Sequence, residues 1–249
     1  MLFLNIAVAT ILSLITLSLL YVIFLGICAL AVNPNKEYEV YSKFYHCVLK
    51  TVAFLMVHLL RIKIHITGKE KIPVDAKPLF VCNHRSNFDP IVTWHILNKW
   101  KLAFVSKPSN FKIPFLGRIV RKVCFLPIDR ENPRNAIVTI NKAAGLIRNN
   151  EASVGIYPEG TRSKACVLLP FHNGVFKIAQ KAEAPIVIMT VVGTEKIHKR
   201  TPFRRTHVYL DILDVISAED AKVNKTETIG TTVRQLMENN IEKREKNNG

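Results

Sequence analysis

The chain has 249 residues, 49% of them hydrophobic, which is long and apolar enough for a sizeable core and excludes a disordered segment. Its five cysteines, Cys28, Cys47, Cys82, Cys124 and Cys166, are odd in number, widely spread and without a C-x-x-C pair, which excludes a small disulfide-stapled fold. With 35 Lys and Arg against 19 Asp and Glu the formal charge is +16, a balance suited to nucleic acid, a membrane surface or an anionic substrate. Residues 1–32 hold no charged side chain. That run exceeds the roughly 20 apolar residues a helix needs to cross a bilayer. A cleavable signal peptide fits it poorly, because there is no basic start and the apolar run is too long. Asn33-Pro34-Asn35 breaks the helix, and residues 38–60 predict a second, amphipathic one. Tyr38, Tyr41, Phe44 and Tyr45 crowd its start as at a headgroup interface, with Lys43 and Lys50 placed to snorkel.

Residues 1–60 are therefore expected to form a membrane-anchoring segment of two membrane-embedded helices, spanning the bilayer or entering one leaflet. They carry a net charge of only +1, so nearly all the basic charge follows them. A basic bulk after the first helix favours the cytoplasmic side of a cell membrane. Residues 61–249 are expected to form one α/β domain. Short apolar runs at 62–67, 79–82, 102–105, 124–128, 153–157, 186–192 and 208–215 read as strands. Helical patterns fall at 90–100, 133–149 and 173–182, and a polar helix closes the chain at 217–245. This alternation predicts a mixed, mostly parallel central sheet flanked by helices.

Two loops concentrate reactive side chains. Asn83-His84-Arg85-Ser86-Asn87-Phe88-Asp89-Pro90 follows the run 79–82, and the end of a buried strand is where open α/β sheets hold ligands. Asp89-Pro90 resembles an N-cap followed by proline at the first helical position. On one continuous helix His84 and Asp89 would point apart, so a bend is required if they meet. If they meet, Asp89 orients one imidazole nitrogen and leaves the other basic, which suits deprotonation of a substrate hydroxyl. Alone, the pattern is equally a helix cap beside a loop histidine. Tyr157-Pro158-Glu159-Gly160-Thr161-Arg162-Ser163 follows the run 153–157 and adds context. Gly160 permits a tight turn, Arg162 offers a planar fork of donors for a phosphate, and Glu159 is placed to hold the loop or the arginine.

With these two blocks in this order, the chain resembles the 1-acylglycerol-3-phosphate acyltransferases of the glycerolipid acyltransferase superfamily. The first block matches the N-H-x-x-x-x-D motif and the second matches F/Y-P-E-G-T-R-S. Between them Lys107, Ile113-Pro114-Phe115-Leu116-Gly117 and Ile128-Asp129-Arg130 match a further motif, and Pro185-Ile186-Val187-Ile188-Met189 a last one. The resemblance covers about 75–215. It implies transfer of a fatty acyl group from a thioester to the sn-2 hydroxyl of lysophosphatidic acid, giving phosphatidic acid. It further implies His84 as general base, Asp89 as its orienter, and Glu159, Gly160, Thr161 and Arg162 around the acceptor phosphate, with Lys107 and Arg130 nearby. The donor is either an acyl-carrier protein or acyl-coenzyme A. The other partners are a lysophospholipid acceptor and membrane phospholipid; no cofactor or metal is expected.

The chain departs from the family pattern where Pro108 and Ser109 follow Lys107, where Cys124 stands for a glycine, and where His172 stands for a lysine after Phe171. These positions bear on acyl preference and exact acceptor. Another lysophospholipid, glycerol 3-phosphate or a lyso-aminolipid would serve the same chemistry. A basic membrane-binding protein without catalysis is the other class; no nucleic-acid module is present, so no nucleic-acid partner is expected. Cys82 reads as core, and His58, His65 and His95 as structural. Arg118, Arg121 and Lys122, among Phe111, Phe115, Leu116 and Ile119, read as an interfacial surface. Lys199-Arg200 and Arg204-Arg205 around Pro202 form a basic loop that is either a solvated turn or a contact for lipid headgroups or an acidic carrier.

Overall fold

A computed structural model describes residues 1–248. Two helices lead the chain, α1 (Leu2–Leu30) and α2 (Lys43–Leu59). Seven strands follow: β1 (Ile62–Thr67), β2 (Leu79–Cys82), β3 (Leu102–Ser106), β4 (Leu126–Pro127), β5 (Ser153–Ile156), β6 (Ile186–Val192) and β7 (Thr206–Ile216). Between and after them lie α3 (Asp89–Leu97), α4 (Leu116–Ile119), α5 (Pro133–Arg148), α6 (Lys177–Ala182), α7 (Ile197–Arg200), α8 (Ala218–Val223) and α9 (Thr226–Asn248).

The strands form one sheet in the order β1-β7-β6-β2-β5-β3-β4. Strands β6, β2, β5, β3 and β4 run parallel, β7 is antiparallel to β6, and β1 is parallel to β7. The mixed, mostly parallel sheet read from the sequence is thus what forms. Every residue of β2, β5 and β6 is buried. Such strands, covered on both faces, carry continuous apolar runs rather than alternation. In β5 the glycine has a steric reason. A Cβ on Gly155 would sit 2.6 Å from the Phe104 ring of β3.

Helix α1 is about 43 Å long at 1.5 Å per residue, enough to cross a bilayer core of about 30 Å. Among the described residues it is the one helix long and apolar enough to do so. Large apolar side chains along it are exposed from Leu2 to Leu30, and only its last third docks, where the Tyr21 hydroxyl meets Thr51 Oγ1 at 2.8 Å and Tyr45 Oη donates to the Cys28 carbonyl at 2.9 Å. Helix α2 differs. Tyr45, Val48, Leu49, Val52, Ala53 and Val57 bury one face of it against the α/β body, where it meets α3 and β1. Phe44, Phe54, Leu55 and Leu59 remain exposed on it.

Several boundaries differ from expectation; β4 keeps only Leu126–Pro127 of the run 124–128, and α3 stops at Leu97, where a 3-10 turn takes over. Helix α2 begins at Lys43 rather than 38, because the Ser42 side chain caps it by accepting from Tyr45 N. Tyr41 precedes it in extended chain, buried, with its hydroxyl on His46 Nδ1 at 2.9 Å and its N–H on Glu151. The closing helix is two helices. Ser217 caps α8, and Asn224 turns extended before α9 starts. The run 173–182 opens as a 3-10 turn before α6. Within the expected interfacial surface, Phe111 and Ile119 are core residues, whereas Ile113 and Phe115 are exposed.

Candidate active site

Five parallel strands end at one edge of the sheet, and every residue given a role in the site from the motifs lies just beyond one of those ends. His84 and Asp89 follow β2, Lys107 follows β3, Arg130 follows β4, and residues 159–162 follow β5. Asn83 makes the departure from β2 possible. Its side chain accepts from Val191 N at 2.7 Å and donates to Val191 O at 2.9 Å, extending the ladder to β6 while the main chain turns away.

The chain then bends from His84 to Asp89, as contact between them requires. His84 Nδ1 lies 2.8 Å from Asp89 Oδ2. Asp89 is fully buried and does not cap α3. It is the first helical residue, after Phe88, and its carboxylate faces back into the loop. There Oδ2 also accepts from Arg85 N at 2.6 Å and Ser86 N at 2.7 Å, and Oδ1 accepts from the Thr194 hydroxyl. An ionised carboxylate is acceptor-only with about four lone-pair sites, and here four donors converge on it. The hydrogen bond to Asp89 puts the His84 proton on Nδ1 and leaves the Nε2 lone pair open. The imidazole is 17% exposed and stacks on Tyr157, with ring centroids 4.3 Å apart and 18° between planes.

Glu159 joins the two motifs. Its Oε1 accepts from His84 N at 2.6 Å and its Oε2 from Leu169 N at 2.9 Å, so it holds the loops and not the arginine. Burial raises its carboxyl above the ordinary range, against the lowering by those two N–H donors. Gly160 has φ +69°, and a Cβ there would meet His172 at 2.9 Å and Arg130 Cδ at 3.7 Å. Arg130 is thereby brought to the glycine turn. Lys107, Thr161 and Arg162 are exposed, and their side chains make no hydrogen bond or ion pair among the described residues.

Residues to which sequence reasoning gave no role hold this arrangement, Arg85 within the first motif and the others outside the motifs. Thr194 lies 105 positions beyond Asp89, and only the pairing of β6 with β2 brings it close. Buried Arg85 donates to Cys166 O and pairs with Glu245 of α9, both at 2.7 Å. Arg234 of α9 donates to the carbonyls of Leu168 and Leu169. Helix α9 therefore pins the segment after Arg162 from two sides. Cys82 is core, as read. It is fully buried, and burial pushes its thiol well above the ordinary range, away from the thiolate a nucleophile needs. Cys124 has φ +61°, the left-handed region in which a glycine is free of strain, which fits the family's glycine at that place.

The His84–Asp89 pair lies at the carboxyl edge of an α/β sheet, an arrangement with the geometry that base-assisted chemistry needs. A family model described as Acyltransferase matches residues 63–192, and the chain belongs to that family. A chloroplastic 1-acyl-sn-glycerol-3-phosphate acyltransferase of Brassica napus is 35% identical over 156 residues, 62% of this chain and 44% of that protein. An enzyme of the same name from Salmonella typhimurium is 28% identical over 173 residues, 68% of this chain and 70% of the other. The chain thus spans less than half the length of the Brassica napus relative and of a chloroplastic enzyme of the same name from Arabidopsis thaliana. The crystal structure of the 1-acyl-sn-glycerophosphate acyltransferase PlsC from Thermotoga maritima superposes with a TM-score of 0.66 at 22% identity, covering 82% of each chain, and so shares the fold.

Proposed function

We propose that this chain is a membrane-anchored O-acyltransferase that forms phosphatidic acid. The acyl group passes from an acyl thioester, of a carrier protein or of coenzyme A, to the sn-2 hydroxyl of 1-acylglycerol 3-phosphate. The observation that carries the reading is the His84–Asp89 hydrogen bond, with the relatives' shared name supporting the substrate. His84 Nε2 takes the hydroxyl proton as the oxygen attacks the thioester carbonyl. The tetrahedral adduct collapses, the carbon–sulfur bond breaks, and the imidazolium returns the proton to the departing thiolate. Asp89 holds the imidazole in the required tautomer and opposes its transient positive charge. No protein nucleophile enters, so no acyl-enzyme forms.

Arg162, with Thr161 and the Gly160 turn, receives the acceptor phosphate, and Lys107 and Arg130 add positive charge on the same edge. An exposed guanidinium without an internal partner is suited to a bidentate phosphate contact. Residues 1–60 act as the anchor and 61–249 as the catalytic domain, on the cytoplasmic face of the cell membrane. A positioned base contributes on the order of 10²–10⁴ in rate, so His84→Ala is expected to lower kcat by that factor while the protein stays folded. Acyl transfer to lysophosphatidic acid, assayed with each donor in turn, checks this. Unchanged turnover would remove His84 from the chemistry.

A further inference from the structure

One strongly basic segment is not used by this chemistry, the loop 201–205 between α7 and β7. Strand β7 runs back from β6, with Val192 paired to Tyr209, so it starts at the edge where β6 ends. Strand β1 starts there too, with Ile62 paired to Thr206. The end of α2 and the loop 201–205 therefore share the edge that holds His84, Asp89 and Thr194.

The loop is built rather than loose. Thr201 Oγ1 donates to Leu60 O at 3.2 Å. Arg61 Nη1 donates to the carbonyls of Pro202 and Phe203 at 3.2 and 3.0 Å. Arg204 N donates to Arg200 O, and Thr206 N to Arg61 O. These bonds present Phe203 at 86% exposure beside the end of α2, where Leu59 is 71% exposed. The segment 196–205 also carries Lys196, Lys199, Arg200, Arg204 and Arg205, all exposed and none ion-paired among the described residues. Residues 196–205 contain no acid, and Glu195 just before them accepts from Gly193 N.

We infer that this loop is a second membrane contact, in which Phe203 enters the headgroup boundary of an anionic leaflet while the cations of 196–205 meet lipid phosphates. The inference rests on the membrane-anchored reading given above. Charge complementarity alone would also suit an acidic protein. A fully presented phenyl ring, tied to the end of a helix with an exposed apolar face, favours the leaflet, because aromatic and basic residues together are what bilayer interfaces hold. With α1 at one point and this loop at another, the domain is held at two places, and the edge carrying His84 is turned to the surface where a lysophospholipid lies.

The test uses the full chain with Phe203→Trp in vesicles of phosphatidylcholine and phosphatidylglycerol. The native Trp94 and Trp100 are buried and supply a constant background. Vesicles with bromine near the headgroups are expected to quench the added emission by roughly half, and a blue shift is expected to accompany it. Quenching is expected to weaken when Arg204→Glu and Arg205→Glu are added, and in vesicles lacking phosphatidylglycerol. A chain that floats with vesicles but shows water-like, unquenched emission at residue 203 overturns the second contact and leaves the α1 anchor standing. Emission that responds only to added acyl-carrier protein overturns it in favour of protein docking. A chain that does not float overturns both. None of these readouts uses turnover, so failure of the acyl-transfer reading is seen separately.

Discussion

The two arms of the site are built in opposite ways. The His84 arm is interior: Asp89 is fully buried, four donors meet its carboxylate, and Glu159 bridges the two motif loops. The cationic arm, Lys107, Arg130 and Arg162, is exposed and without internal partners. A base must be fixed in tautomer and direction before substrate arrives, so its supports are internal. A phosphate brings its own charge, and a cation already paired inside the protein would have to give up a partner to meet it. Damage to the buried supports of the first arm is therefore expected to cost stability and rate together, and damage to the second to cost acceptor affinity alone.

Asp89→Ala is the strongest way to break this contrast. It strands two buried backbone N–H groups and the Thr194 hydroxyl, at about 1–3 kcal/mol for each unmet group. A stability loss above about 3 kcal/mol, read by denaturant unfolding, is expected together with loss of turnover. If stability barely changes, the arm is not the rigid support described. Arg162→Ala should raise KM for the acceptor about 10–100-fold, since hydrogen bonds to charged groups are worth about 1.5–3 kcal/mol, with kcat and melting temperature near those of the parent. A variant that melts early instead would show a structural arginine.

Glu245→Gln probes the support from α9. Arg85 keeps Cys166 O but loses an ionic partner that is half exposed, so a fall of only severalfold in kcat is expected, without change in acceptor KM. A KM effect would place α9 on the other arm. Glu159→Gln is read by its slope, beside a pH-independent loss of about 1–3 kcal/mol for the backbone N–H that the new amide nitrogen cannot accept. Because burial raises the Glu159 carboxyl, the folded chain binds its proton more tightly than the unfolded chain. The stability from that proton is full below the unfolded value and is lost as pH rises through the folded one. Melting curves taken upward from the ordinary carboxylate range should show this fall in the parent and its absence in the variant. The same slope in both would remove Glu159 as its source.

Much of this was legible in the sequence, for physical reasons. Strands β2 and β6 end where their apolar runs end, because strands buried on both faces leave little ambiguity. The motif loops were legible because they fall at strand ends, where the parallel sheet gathers them. Local rules misled where a tertiary contact outbid them. Asp89 beside Pro90 has the pattern of a cap, yet its carboxylate serves the loop before it. Tyr38 and Tyr41 continue an amphipathic pattern, yet Tyr41 is taken up by His46 and Glu151. Thr194, Arg85 and Glu245 were illegible, since their partners lie 81 to 160 residues away and no spacing rule links them.

The division of the sheet into a working edge and a plain one has a practical side. Strands β2, β5 and β6 begin, and β1 and β7 finish, on the edge away from His84. The connections there, 68–78, 149–152 and 183–185, contain none of the residues assigned a chemical or lipid role. An affinity tag or fluorescent domain spliced into the exposed middle of 68–78 would sit a sheet's width from the reaction. The same cargo at 201–205 would stand between the enzyme and its lipid.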